Sequence, residues 1–338
     1  MTRAATATLR LGTRASALAR TQSQMVADAI TAATGAPVEL VHITTEGDVN
    51  PAAIAQLGGT GVFVTAIRRA LLAGEIDLAV HSYKDLPTAP EPGLTIAAVP
   101  PREDPRDALV ARDGLTLGEL PAGARVGTGA PRRMAQLRAL GLGFEVVPIR
   151  GNVDTRMGRV GGVGEQGDLD AVVLARAGLS RLGRLDAITE TLDPLQVLPA
   201  PAQGALAVEC RTSDARTREL LSSLEHPGTR ACVLAERATL AALEAGCSAP
   251  VAAYAEVADG EIGPELFLRA SVTALDGSDA VRGSTTGPLG DAAALGRALA
   301  AELLDRGAAE LMAAPAEPHD PPQTPAHALT NRAGNRST

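Results

Sequence analysis

A chain of 338 residues exceeds one ordinary domain, and surface-to-volume scaling favours two or three cores over a single large one. Lys and Arg number 31 against 39 Asp and Glu, and the formal charge of -8 opposes general attraction to nucleic-acid phosphates or anionic membranes, which points to a small-molecule partner. With no basic segment leading into an apolar run, and no stretch near the ~20 apolar residues of a membrane span, the cytoplasm is the expected location, and a monomer is expected because no coiled coil or apolar strip stands out.

In chain order, Thr8 to Gly12 reads as a strand, Ser16 to Thr34 as a helix capped by Ser16, and Val38 to Ile43 as a strand. Val62 to Ala73 reads as a helix ended by Gly74, and Leu78 to His81 as a buried strand. Pro100, Pro101 and Pro105 mark a hinge, after which the α/β alternation restarts: strand Arg125 to Gly127, helix from Pro131, strand Glu145 to Ile149, helix from Asn152, strand Ala171 to Ala175. The apolar run Ala205 to Glu209 follows Pro199 and Pro201 and is placed to return to the first sheet; a helix from Asp214 to Leu224 comes next. Thr229 to Ala245 reads as a long helix with Gly246 at C′, which puts Cys247 just past its end. Strands Val251 to Val257 and Glu265 to Val272, Asp-Gly turns at 259–260 and 276–277, and a helix Asp291 to Arg306 complete the ordered part.

The expected fold is therefore two α/β domains and a small α+β C-terminal domain. Residues 1–104 with 205–224 make the first, 105–204 the second and 227–312 the third, and 313–338, rich in Ala, Pro and Thr without periodicity, form a disordered tail.

Lys84 is the only lysine, and an ammonium is a compact charge with a tunable pKa that a guanidinium cannot copy. It lies in His81-Ser82-Tyr83-Lys84-Asp85, at the carboxyl end of a strand, where α/β sheets present ligand-binding groups. A Lys-Asp pair there serves equally as a solvated turn or a structural ion pair. Arg14, Arg132, Arg133, Arg150, Arg156 and Arg181 stand at corresponding ends of other elements. Singly, each fits an exposed salt bridge; together they suit a polycarboxylate, and Arg132 and Arg133 at a helix start oppose the helix dipole. Gly162-Val163-Gly164-Glu165-Gln166-Gly167 matches the dinucleotide fingerprint only formally, because a helix precedes it and a strand follows. Three cysteines, Cys210, Cys232 and Cys247, have no metal-type spacing, so no metal site is expected and any sulfur chemistry involves a single thiol.

Six strings resemble the porphobilinogen deaminases and occur in that family's order: Leu11-Gly12-Thr13-Arg14-Ala15-Ser16, His81 to Asp85, Arg102-Glu103-Asp104-Pro105-Arg106-Asp107, Arg150-Gly151-Asn152-Val153-Asp154-Thr155-Arg156, Leu198 to Gly204, and Glu244-Ala245-Gly246-Cys247. The resemblance implies two domains of the type II periplasmic-binding-protein kind enclosing the active site, and a third carrying the cofactor-bearing cysteine. It implies a dipyrromethane held by Cys247 through a thioether, with Lys84, Asp85, Thr128, Arg132, Arg133 and Arg156 binding that cofactor. Asp85 is the implied catalytic group. Arg14, Ser16, Phe63, Arg150, Arg156, Arg181 and Gln203 are the implied ligands of porphobilinogen and the growing polypyrrole chain. The implied reaction joins four porphobilinogens head to tail with loss of ammonia, giving hydroxymethylbilane for tetrapyrrole and haem synthesis. A two-lobed carboxylate-sensing module without catalysis is the competing reading, but it has no use for a cysteine in an appended domain. Three departures from the family stand out: Gly129 and Ala130 replace serines after Thr128, Gln56 and Thr60 replace lysines before Phe63, and Gly161 to Gln166 reads as an insertion.

Overall fold

The computed structural model describes residues 7–43, 60–164, 167–245, 249–261 and 263–313. The first stretch of chain forms β1 (Leu9–Thr13), α1 (Ala17–Thr34), β2 (Val38–His42), α2 (Thr60–Leu72), β3 (Leu78–Ser82) and β4 (Leu94–Ala98). The second forms β5 (Asp107–Ala111), β6 (Arg125–Thr128), α3 (Pro131–Ala139), β7 (Glu145–Pro148), α4 (Val153–Met157), β8 (Ala171–Ala175), α5 (Arg176–Arg181) and β9 (Glu190–Thr191). Then come β10 (Leu206–Arg211), α6 (Ala215–Ser222), α7 (Pro227–Ala242), β11 (Val251–Asp259), β12 (Pro264–Thr273), β13 (Ala280–Pro288), α8 (Ala292–Asp305) and α9 (Ala308–Ala313).

Local chemistry sets many of these boundaries. The Ser16 hydroxyl accepts from Ala19 N–H to cap α1, and Gly35 at φ 72 ends it. Asn152 and Asp214 cap α4 and α6 in the same way, through Thr155 and Thr217 N–H. One terminus departs from expectation: α7 stops at Ala242, and Glu244, two residues on, takes a left-handed φ of 52. Gly246 and Cys247 themselves lie outside the described residues.

Two five-stranded sheets share one plan, β2-β1-β3-β10-β4 and β7-β6-β8-β5-β9, although no repeat is visible in the sequence. In each, three strands are parallel and the fourth position is taken by an antiparallel strand that arrives from beyond the other sheet: β10 beside β3, and β5 beside β8. The return of the chain at Ala205 to Glu209 is thus observed as β10. This is the doubly crossed α/β arrangement expected of two periplasmic-binding-protein-like units. β11-β12-β13 form a separate antiparallel sheet with α7 and α8 packed on it.

The two crossovers run side by side between the sheets. Gly204, at φ 87, lets the Glu103 carbonyl approach where any Cβ would collide with it, and Glu103 N–H donates to Gly204 O at 3.3 Å. Both crossovers are fastened to the third sheet by Glu236 of α7, which is fully buried. Its carboxylate accepts from Arg102 Nη1 (2.6 Å) and Nη2 (3.0 Å) on one crossover, from Ala202 N–H (2.6 Å) on the other, and from Ala255 N–H (2.7 Å) on β11.

Candidate active site

β3 is buried along nearly its whole length and ends in a 3-10 turn, Tyr83–Asp85, at the sheet edge facing the crossovers. Tyr83 N–H donates to Ala205 O at 3.0 Å and Leu86 N–H to Tyr83 O at 3.2 Å, so the turn is tied to the returning chain at its start and closed on itself. Its outer residue, Asp85, is exposed and lines two cavities at once. One, of about 130 Å³, is bounded by Arg14, Ser16, Gln22 and His81 with an apolar wall of Leu18, Val64, Ile67 and Val80. The other, of about 220 Å³, is bounded by Lys84, Gly129, Arg132, Arg133, Arg156, Gln203 and Ala249.

The larger cavity is cationic for a structural reason. Asp107, the first residue of β5 and fully buried, accepts from Arg132 Nη2 (2.7 Å), Arg133 Nε (3.0 Å), Arg133 Nη2 (2.7 Å) and Gln203 Nε2 (2.7 Å). Burial acts against its charge, yet the two guanidiniums hold its carboxyl far below the usual carboxylate range. This explains why two arginines stand at the start of α3 against its dipole: each is paired across the sheet. Arg132 also reaches Leu198 O, and its Nε is buried with no hydrogen-bond partner among the described residues.

Gln203 closes the network. Its amide nitrogen donates to Pro105 O and Asp107 at 2.7 Å each, and its oxygen accepts from Lys84 Nζ at 3.1 Å and Arg133 Nη2 at 3.2 Å, which fills the hydrogen-bonding capacity of a side-chain amide. Lys84 keeps some exposed surface, but its ammonium is enclosed. Burial pushes its pKa down to about 8, with Arg133 and Arg132 adding to the effect and Asp85 and Asp107 opposing it.

Lys84, Asp85, Arg132, Arg133, Arg156 and Gln203 are therefore gathered around one cavity, and Arg14, Ser16 and Asp85 around its neighbour. Arg156 donates Nε to Gly151 O at 2.8 Å and pairs with no carboxylate among the described residues; burial, with Arg133 nearby, lowers its pKa. Thr128 is fully buried behind the larger cavity, its hydroxyl accepting from Ala130 N–H at 3.4 Å. Arg150 is exposed and lines neither cavity. Arg181 is the last residue of α5; it donates Nη2 to Gly204 O at 2.6 Å, and its Nε is buried without a partner among the described residues. Phe63 falls in α2, but its side chain, like Cys247, Gln56 and the side chain of Thr60, is outside the described residues.

Gly129 has a steric explanation. A Cβ there would sit 2.6 Å from Ile149 O and 3.4 Å from the Arg156 guanidinium, so this backbone leaves no room for a serine unless it shifts.

Sequence reasoning did not single out Asp107, although it stands inside a quoted string, because nothing local marks it as the partner of residues 25 and 26 positions away. Nor did it find the buried group behind the smaller cavity, where Glu209 of β10 takes Arg68 of α2 at 2.9 Å and His81 Nε2 at 3.1 Å. The only signal for that group is a charged residue inside an apolar strand.

Comparison with known proteins agrees with this geometry. The family model described as "Porphobilinogen deaminase, dipyromethane cofactor binding domain" matches residues 9–219, and "Porphobilinogen deaminase, C-terminal domain" matches 230–305. A porphobilinogen deaminase of Nocardia farcinica is 62% identical over 315 residues, covering 91% of this chain and 89% of its own. One from Mycobacterium tuberculosis is 62% identical over 309 residues, covering 90% and 98%. Among solved structures, an ABC transporter periplasmic substrate-binding protein from Coxiella burnetii aligns over 66% of this chain and 94% of its own at 14% identity and a TM-score of 0.40, too distant to bear on function. Matches of this extent, on a chain whose scattered motifs fold into one cation-lined cleft, place the chain in the porphobilinogen deaminase family.

Proposed function

We propose that the two cavities sharing Asp85 are successive stations of one polymerising site, the smaller receiving porphobilinogen and the larger holding the primer. The chain is a transferase that condenses four porphobilinogens with loss of ammonia at each step, after which water cleaves the product from the primer as hydroxymethylbilane; its cofactor is a dipyrromethane. That group, joined to Cys247, supplies the unsubstituted pyrrole carbon from which the product grows.

The larger cavity fits it. Four cations face Asp85, the only carboxylate in the wall among the described residues, and Ala249 in that wall is two residues from Cys247. The missing Cβ at Gly129 keeps the wall open beside Arg156. Lys84, Arg132, Arg133 and Arg156 bind acetates and propionates through charge-assisted hydrogen bonds, with Thr128 shaping the backbone behind them. Arg14 and Ser16 at the smaller cavity bind the incoming substrate, and Phe63, Arg150 and Arg181 are read as further ligands of the substrate and growing chain; Gln203, its amide already committed, braces Lys84 and Arg133 rather than taking a ligand.

Asp85 accepts from pyrrole N–H and opposes the positive charge that develops as the aminomethyl C–N bond breaks. Pyrrole is itself nucleophilic, so positioning and charge stabilisation are what the protein adds. We further read the chain as a cytoplasmic monomer without nucleic-acid or membrane partners; its charge of -8 supports the last point, since it opposes attraction to phosphates and anionic lipid surfaces.

The observation that carries the proposal is the position of Asp85 in both walls. Asp85→Asn should slow turnover about 10²- to 10³-fold, as loss of one preorganised charge typically does. Intact mass should show the primer still attached. Near-normal turnover in a folded, primer-bearing variant would reduce Asp85 to a structural residue.

A further inference from the structure

We infer that Arg237, on α7 of the C-terminal part, is a positioning residue for the reaction, because its guanidinium fixes the backbone of the turn that carries Lys84 and Asp85. The inference rests on the proposed role of Asp85.

Arg237 Nη1 donates to Tyr83 O at 3.2 Å and to Leu86 O at 2.9 Å, and Nη2 donates to Pro87 O at 2.6 Å. The same guanidinium lies over the Tyr83 ring, 4.5 Å from its centroid. One planar cation from another part of the chain thus holds carbonyls on both sides of Asp85 and stacks on the residue that opens the turn. No hydrogen bond to the Asp85 carboxylate is found among the described residues and Lys84 acts on it through charge, so the backbone of the turn is what sets where this side chain starts. A short 3-10 turn has few bonds of its own to resist rotation: here the Leu86 N–H to Tyr83 O bond and the anchor of Tyr83 N–H on Ala205 O. Arg237 supplies the outer restraint.

The placement also links the two ends of the chemistry. α7 carries Arg237 five residues before its end at Ala242, and the chain runs from there into the segment containing Cys247. The helix that sets the origin of the cysteine-bearing segment therefore also grips the catalytic turn, and neighbouring Glu236 fastens the same helix to both crossovers. Lysine cannot reproduce this, since an ammonium is a point donor and cannot span three carbonyls while stacking on a ring.

The test compares Arg237→Gln and Arg237→Lys with the parent, each assayed as primer-bearing protein quantified by intact mass. Misplacement of a reacting group by about 1 Å costs on the order of 10²-fold, so kcat should fall about 10- to 100-fold in Arg237→Gln and less in Arg237→Lys, with KM for porphobilinogen within about twofold. In an Asp85→Asn background, Arg237→Gln should cost at most about a further twofold, because the group it positions is already gone. Unchanged kcat in folded Arg237→Gln, a rise in KM alone, or a full multiplicative loss on top of Asp85→Asn would each overturn the inference. If Asp85→Asn alone leaves kcat intact, the role of Asp85 has failed instead, and the two failures are distinct.

Discussion

Replacing Asp107 with Asn tests the claim that the cationic cavity is built around one buried carboxylate. Asn keeps the shape of the side chain but removes the charge and turns one oxygen into a donor. With its oxygen at the Oδ1 position, Asn keeps the contacts to Arg133 and Gln203 and points an NH₂ at Arg132 Nη2, where 2.7 Å now separates two donors; the opposite flip loses the three bonds at Oδ1 instead. Either way two guanidiniums, 4% and 5% exposed, lose their counter-charge. Breaking a buried pair from one side costs about 3–5 kcal/mol, which corresponds to a drop in Tm on the order of 10 °C for a chain of this size. The pH dependence has a definite sign. Because the folded state depresses the carboxyl below its ordinary 3.8, its contribution is fully present above that value and disappears as pH falls through the lower folded-state pKa. The gap between parent and variant should accordingly be constant from about pH 5 to neutrality and narrow in strong acid. Thermal melts of primer-free protein (Cys247→Ser in both backgrounds) measure the effect without ligand carboxylates standing in for Asp107. A shift below about 2 °C at pH 7 would refute the reasoning, since 1 kcal/mol moves Tm by roughly that much in large domains.

Arg150→Leu and Arg156→Leu should each slow chain growth and leave covalent species of incomplete length, read by native mass spectrometry, because every added pyrrole brings two carboxylates to neutralise; an unchanged ladder with unchanged turnover would remove that residue from the site. Cys210 and Cys232 are buried, and desolvation pushes their thiols up to about 11 and about 12, so both are protonated at neutral pH and poor nucleophiles. Cys247→Ser should fold without a primer, whereas Cys210→Ser and Cys232→Ser should keep it; peptide mapping that locates an adduct on either buried cysteine would overturn the assignment.

Local physics decided what the sequence alone made legible. Ser16, Asn152 and Asp214 carry acceptors at the first uncapped turn, and their helices begin where those side chains say. β8, five apolar residues between turns, reads as a strand and is one, buried along nearly its whole length. The motif strings named the family and most of the residues around the cleft, because a residue type at a strand end is local information. β13 was hidden for the opposite reason: Arg282, Ser284, Thr285 and Thr286 suit an exposed edge strand, whose existence depends on pairing with β12. β5 was hidden because its short run opens on a buried charge, Asp107, directly after the charged stretch 102–106, and so lacks the turn-bounded apolar run that marks β8.

Only tertiary structure could decide what the arginines do. The pairing of Arg132 and Arg133 with Asp107, of Arg102 with Glu236 at a separation of 134, and of Arg68 and His81 with Glu209 at separations of 141 and 128 leaves no trace in spacing. A charge in sequence carries no record of its partner; burial of both partners in one desolvated place determines it, and that place exists only once the two sheets have exchanged strands and closed their crossovers around Gln203.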